Sequence, residues 1–98
     1  MYYETEEAHR RALRAARLRG VRFLAEYAIA AADAYAVGVG PDGRVSFQGE
    51  AGSLHGLIEL LDAQPSTEPD VAEEHHEWVA EVAYDGGTVR VELTEVDQ

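Results

Sequence analysis

The sequence predicts an α+β domain with element order α-β-β-α-β-β, a four-stranded, mainly antiparallel sheet covered on one face by a long N-terminal helix and a short second helix. Three observations carry this expectation. Apolar residues recur at helical spacing from Thr5 to Ala34, two later stretches alternate apolar and polar residues around turn chemistry, and Leu54, Leu57, Ile58 and Leu61 between them follow the i, i+3, i+4, i+7 rule. Ninety-eight residues suffice for one core and little more, so 1–98 is read as a single domain.

The first helix is expected over 5–34. Thr5 has a capping side chain, Glu6 and Glu7 stand in the first turn where the helix dipole favours acid, and the alanines favour propagation. At about 100° per residue, Leu13, Ala16, Gly20, Phe23, Tyr27, Ala30 and Ala34 share a charge-free face, in an arc that also takes in Ala31. Their three-four alternation is that of a heptad seam, and their small size suits close approach. Gly20 costs such a helix about 1 kcal/mol relative to alanine. It either admits a close neighbour or divides the element in two.

Residues 35–49 read as a hairpin. Tyr35, Val37 and Val39 alternate with small residues, Pro41-Asp42-Gly43 supplies the turn, and Val45 and Phe47 alternate with polar residues. A three-residue loop pairs Val39 with Val45 and Val37 with Phe47. Ser53 then opens a helix over 53–63, which ends ahead of Pro65, and 64–77 is an acidic connection holding two prolines. A second hairpin is expected over 78–96, with Trp78, Ala80, Val82 and Tyr84 on one parity and Val89, Val91 and Leu93 facing them. An Asp85-Gly86 loop sets Glu81 opposite Arg90, whereas Gly86-Gly87 sets it opposite Glu92. Opposite charges select Asp85-Gly86.

Charge is distributed unevenly. The formal net charge is -11, lysine is absent, and six of the eight arginines lie in RRALRAARLRGVR, residues 10–22. Residues 1–22 therefore carry +3 and residues 23–98 carry -14. A body of that sign repels nucleic acid and anionic membranes and attracts basic protein surfaces. The absence of lysine fits a GC-rich genome, and the acid excess fits a halophile's cytoplasm. Charges interrupt every apolar run before the roughly 18 residues a membrane span needs, and the first residues are acidic rather than basic, so neither a span nor an export signal is expected. Without cysteine there are no disulfides, thiolate metal sites or thiol nucleophiles. A cytoplasmic location is the expectation.

Several motifs invite chemistry, and each has a plainer reading. Gly38-Val39-Gly40-Pro41-Asp42-Gly43 matches GxGxxG, yet a strand follows it where a phosphate site needs a helix N-terminus. Ser53, His55 and Asp62 name the residue types of a hydrolytic triad without a nucleophile elbow around the serine. In Glu73-Glu74-His75-His76-Glu77, the weak metal candidates are His75, His76 and Glu74, but neighbours on a strand point to opposite faces and no HExxH spacing is present. No catalytic residue, cofactor or metal is assigned.

The arginines support a different expectation. Arg10, Arg14 and Arg17 lie within about 60° of one another on the helix, clear of the apolar face. A helix over 5–34 would be about 45 Å long, against a diameter of about 32 Å for a compact globule of this size. It would overhang its own domain and expose apolar surface that a second copy could cover. The expected function is a non-enzymatic, acidic protein-interaction module that forms a homodimer through this helix, with Arg10, Arg14, Arg17, Leu13 and Gly20 as partner-binding residues and a basic protein as further partner. A nucleic-acid-mimicking inhibitor of the anti-defence or immunity type is the alternative, and a small-molecule-binding domain the third. Direct nucleic-acid binding is disfavoured by the body's charge.

Overall fold

In the computed structural model, which describes residues 2–30, 32–66 and 75–96, the chain opens with one helix, α1 (Tyr2–Tyr27). There follow β1 (Ala36–Val39), β2 (Val45–Glu50), a one-and-a-half-turn helix α2 (His55–Leu60), β3 (Gln64–Pro65), β4 (His75–Tyr84) and β5 (Gly87–Val96). The strands form one sheet in the order β1-β2-β5-β4-β3. The fold is α+β as expected, but with five strands rather than four, and the sheet is mixed. β2 and β5 run parallel at its centre, Phe47 opposite Leu93, and every other pair is antiparallel.

The parallel pair has a physical cause. β2 and β5 are the two strands whose alternate residues are buried without interruption, so joining the hairpins along them places the largest apolar surfaces under the helices. The chain leaves β2, crosses the face as α2 and returns as β3 at the far edge, where Gln64 and Pro65 pair with Val79 and Trp78. Phe23 of α1 and Leu54 and Leu57 beside and within α2 meet Val45, Phe47, Ala80, Val89, Val91 and Leu93 in one core. The opposite face of the sheet carries Ser46, Gln48, Glu50, Arg90 and Glu92.

Both hairpins adopt the registers their turns require. Val39 pairs with Val45 and Val37 with Phe47, closed by Gly43 at φ +88° and by an Arg44 N–H bond to Asp42 Oδ1. Glu81 faces Arg90 across Asp85-Gly86, both turn residues having positive φ as a tight two-residue hairpin demands. The second hairpin is longer than 78–96, because β4 pairs with β5 from His75 onward, opposite Val96. The expected loop over 64–77 is correspondingly shorter at both ends, and residues 67–74 lie outside the described residues.

Both helices are shorter than their patterns. α1 ends at Tyr27 instead of Ala34, turns follow at 28–30 and 32–33, and the Tyr35 N–H reaches the Gln48 carbonyl at 2.9 Å. Ala30 is exposed and Ala34 half-buried, and Ala31 lies outside the described residues. Alanine propensity there yields to strand pairing, since alanines bury too little surface to hold a further turn on the sheet. α2 occupies 55–60 of the expected 53–63. Ser53 does not cap it, for its hydroxyl donates to the Glu50 carbonyl at 2.6 Å, while the buried Glu95 carboxylate accepts the Leu54 N–H at 2.9 Å.

Candidate functional site on the long helix

α1 is continuous through Gly20, and Gly20 is closed by the chain's own hairpin. A Cβ there would run into the Gly43 carbonyl oxygen, and a Cβ on Gly43 would run into the Ala16 carbonyl. Two glycines face to face thus set how closely α1 approaches the first hairpin. Gly20, expected to bind a partner, is buried within its own subunit, and Ala16 beside it is half-buried. Leu13 remains at the surface, 37% exposed.

N-terminal to that contact the helix leaves the body. Every residue from Thr5 to Ala15 is exposed. With 26 residues α1 is about 39 Å long, and the molecule measures 52 × 30 × 20 Å. The overhang expected from helix length is present. What projects is mainly polar and basic, however, because the apolar face that was to accompany it ends against Gly43.

The six arginines of the helix divide into three groups. Arg19 and Arg22 are used within the fold: the Arg22 guanidinium donates to Asp85 Oδ2 at 3.0 Å, Arg19 lies against Gly87 and donates to the Asp85 carbonyl, and together they seat the helix on the second hairpin's turn. Arg11 pairs with Glu7 one turn away, both well exposed. Arg10, Arg14 and Arg17 make no ion pair among the described residues, although the described body holds unpaired acids.

Those three belong to a longer row. Arg10, Arg14, Arg17, Val21, Leu24 and Ala28 recur at spacings of four and three, a second seam about 90° or more from the core-facing one. Its first half is basic and its second half is apolar. The apolar half adjoins the sheet's edge strand: Val21, Leu24, Ala25, Ala28, Ala34 and Val37 line a groove of about 400 Å³. A shallower hollow of about 310 Å³ lies among Arg14, Arg17, Leu18 and Val21. The exposed large apolar side chains lining the two are Leu18, Val21 and Val37, with 49, 47 and 52% of their surface exposed, and Ile29, just past the end of α1, has 91% exposed. The expected partner-binding set did not include them. For Val21 the signal was in the sequence, as the continuation of the arginine row at the same spacing.

Elsewhere the candidate chemistry does not assemble. Ser53 is bonded to Glu50, His55 Nε2 lies 3.1 Å from its neighbour Glu59, and Asp62 turns through positive φ to meet the Gln64 side chain. The GxGxxG stretch forms the β1–β2 turn. His76 is exposed on β4 with its ring 6.2 Å from Trp78; Glu74 and the side chain of His75 lie outside the described residues, among which no cluster of three metal-ligating side chains occurs. Phe23 stacks on Tyr27 at 4.3 Å and lies edge-on to Tyr84 at 5.4 Å. Tyr84 donates its hydroxyl to the Glu26 carboxylate, which together with partial burial and nearby negative charge pushes its pKa from 10.0 up to about 12.

On the open face of the sheet Glu92 sits between two arginines, 3.1 Å from Arg44 Nε and 3.9 Å from Arg90 Nε, and Arg90 reaches Glu81 on the next strand. Charges alternate in sign across three strands. No helix among the described residues is long and apolar enough to cross a membrane. No protein-family model matches the chain, and neither a curated protein nor a solved structure matches it.

Proposed function

We propose that this protein is a non-enzymatic interaction module that self-associates through the outer face of α1. The observation that carries this reading is the unpartnered seam on the helix, apolar where it passes the edge strand and basic where it leaves the body. Isolated exposed apolar residues need no explanation, but Val21 and Val37 line one groove and Leu18 and Val21 line the hollow beside it. A second copy supplies a cover of matching chemistry, since its own body carries the acid excess that three unpaired arginines seek. The arginines are then an assembly device. The assembled particle presents the acidic remainder of the molecule, with Glu50, Glu59 and Asp62 exposed, to basic partner proteins.

Nucleic-acid mimicry draws less support. A mimic needs a run of carboxylates at phosphate-like spacing, whereas the open sheet face alternates Glu81, Arg90, Glu92 and Arg44. Light scattering at micromolar concentration, in low and in high salt, tests the proposal. A dimer in low salt that weakens in high salt is expected, because exposed charge pairs are screened over about 10 Å at 0.1 M salt while the apolar part of the contact persists. A monomer under both conditions would overturn it.

A further inference from the structure

The sheet edge beside the α1 groove specifies how the second copy joins, and this inference rests on the self-association proposed above. We propose that two copies pair their β1 edge strands antiparallel about a two-fold axis through Gly38, so that the two sheets become one and Val37 of each subunit faces Val39 of the partner subunit.

The two edges of the sheet differ in protection. β3 is two residues long and holds Pro65, the short, proline-bearing form that blunts an edge. β1 is four residues long, and residues 34–40 around it include neither a charge nor a proline. The Gly40 N–H bonds to the Arg44 carbonyl, so by the alternation of an antiparallel ladder Gly38 and Ala36 also address β2. Val37 and Val39 therefore turn their N–H and C=O groups to the open edge, and neither bonds to backbone outside the sheet among the described residues. An uncharged edge of this kind is a template for another strand. The groove supplies the room: Val21, Leu24, Ala25 and Ala28 of α1 stand beside Val37 on the helix-covered side of that edge, where the inward side chains of an added strand would lie.

The chain on either side of β1 fixes the register. The Tyr35 N–H is committed inward to the Gln48 carbonyl, and Pro41 has no N–H, so the outward donors are Val37 and Val39. With the axis through Gly38, each of these valines exchanges a full pair of hydrogen bonds with the other valine of the partner subunit. An axis at Val37 sets Val39 opposite the partner subunit's Tyr35, and an axis at Val39 sets Val37 opposite the partner subunit's Pro41. In either shift a valine faces a residue with no N–H to return. Charge selects a second copy as the occupant and an antiparallel pair as its arrangement. α1 leaves the body past the β1–β2 turn, since Ala16 and Gly20 abut Gly43 and every residue from Thr5 to Ala15 is exposed. Antiparallel pairing sets that basic arm at the end of the joined sheet where the partner's chain enters β1, and residues 23–43, exposed Asp33 among them, contain three acids and no lysine or arginine. A parallel pair would set both basic arms at the same end.

Two-fold symmetry makes the test specific. Gly38 faces itself across the axis at a position without inter-subunit hydrogen bonds, where opposed Cα atoms lie about 4.5 Å apart, within disulfide range. A Cβ on Gly38 has Ser46 Oγ as its nearest neighbour at 3.5 Å, an ordinary contact. The chain has no cysteine, so Gly38→Cys introduces a single thiol, and mild oxidation should give a covalent dimer, whereas Ser46→Cys, one strand further in, should not. Val37→Pro removes an outward N–H and leaves the β1–β2 ladder its bonds, so it should self-associate at least about tenfold more weakly than the wild type. Circular dichroism confirms that each variant is folded, and hydrogen exchange needs no variant: the Val37 and Val39 amides should exchange more slowly in the wild-type dimer than after dilution to monomer. If the wild type is a dimer but Gly38→Cys stays uncrosslinked and the two amides exchange alike in dimer and monomer, edge pairing is wrong while self-association stands. A monomeric wild type would overturn both this pairing and the proposed function, leaving the edge to an extended segment of another protein.

Discussion

Gly20 is the residue at which helix chemistry and packing disagree most openly. Alanine would favour an isolated helix by about 1 kcal/mol, yet a Cβ at this position meets the Gly43 carbonyl oxygen, a backbone atom fixed by its own tight turn. Packing wins, so Gly20→Ala should lower stability by about 1–3 kcal/mol, read from the urea midpoint, and not raise it as an exposed helical substitution would. Tyr84 offers a second test at this scale. Its hydroxyl donates to Glu26, and its pKa is raised from 10.0 to about 12. The group's folded-state pKa is the higher one, so the stability it contributes is fully present below pH 10 and is lost as the pH rises through about 12. Ultraviolet titration should find Tyr84 ionising near pH 12, and Glu26→Gln should return it toward 10.0. Residue identity alone foretold neither. Gly20 was legible as an anomaly, but whether it admitted a neighbour or broke the helix depended on a turn 23 positions away, and Glu26 and Tyr84 are 58 positions apart.

Among the elements, those with strong local signals were read correctly and those set by distant pairing were not. Asp85-Gly86 and Pro41-Asp42-Gly43 fixed both hairpin registers, because turn chemistry and charge pairing act over a few residues. The parallel union of β2 with β5 was not legible, since no local signal states which hairpin edges will meet. α2 shows the same limit. Its serine looked like a cap, but the carboxylate that does bond its first turn arrives from β5, 41 positions later. Glu95 is buried and bonds the Leu54 N–H much as the glutamate of a capping box would, supplied by the sheet rather than by the helix. Glu95→Ala leaves that buried amide unsatisfied and should cost about 1–3 kcal/mol. Glu95→Gln, which keeps an acceptor, should cost less. Equal losses for the two variants in denaturant melts would mean that the carboxylate's charge, and not its hydrogen bond, matters.

For the whole molecule the informative quantity is shape. A radius of gyration of 14.9 Å exceeds the roughly 13 Å of a compact domain of this length, and the excess is the part of α1 that leaves the sheet. Sequence length and periodicity foretold the overhang but not which surface it would expose. The core-facing seam ended against Gly43, and the exposed one proved to be the arginine row continued through Val21. That row joins the uneven charge to the fold: Arg19 and Arg22 hold the helix down, and Arg10, Arg14 and Arg17 stay available to another molecule. Sedimentation equilibrium of the wild type beside Val21→Glu tests this most directly. The wild type should sediment at twice the 10.7 kDa chain mass at micromolar concentration, and the variant, folded, at the chain mass. A wild type at 10.7 kDa, or a Val21→Glu variant that remains as dimeric as the wild type, would contradict assembly through this face.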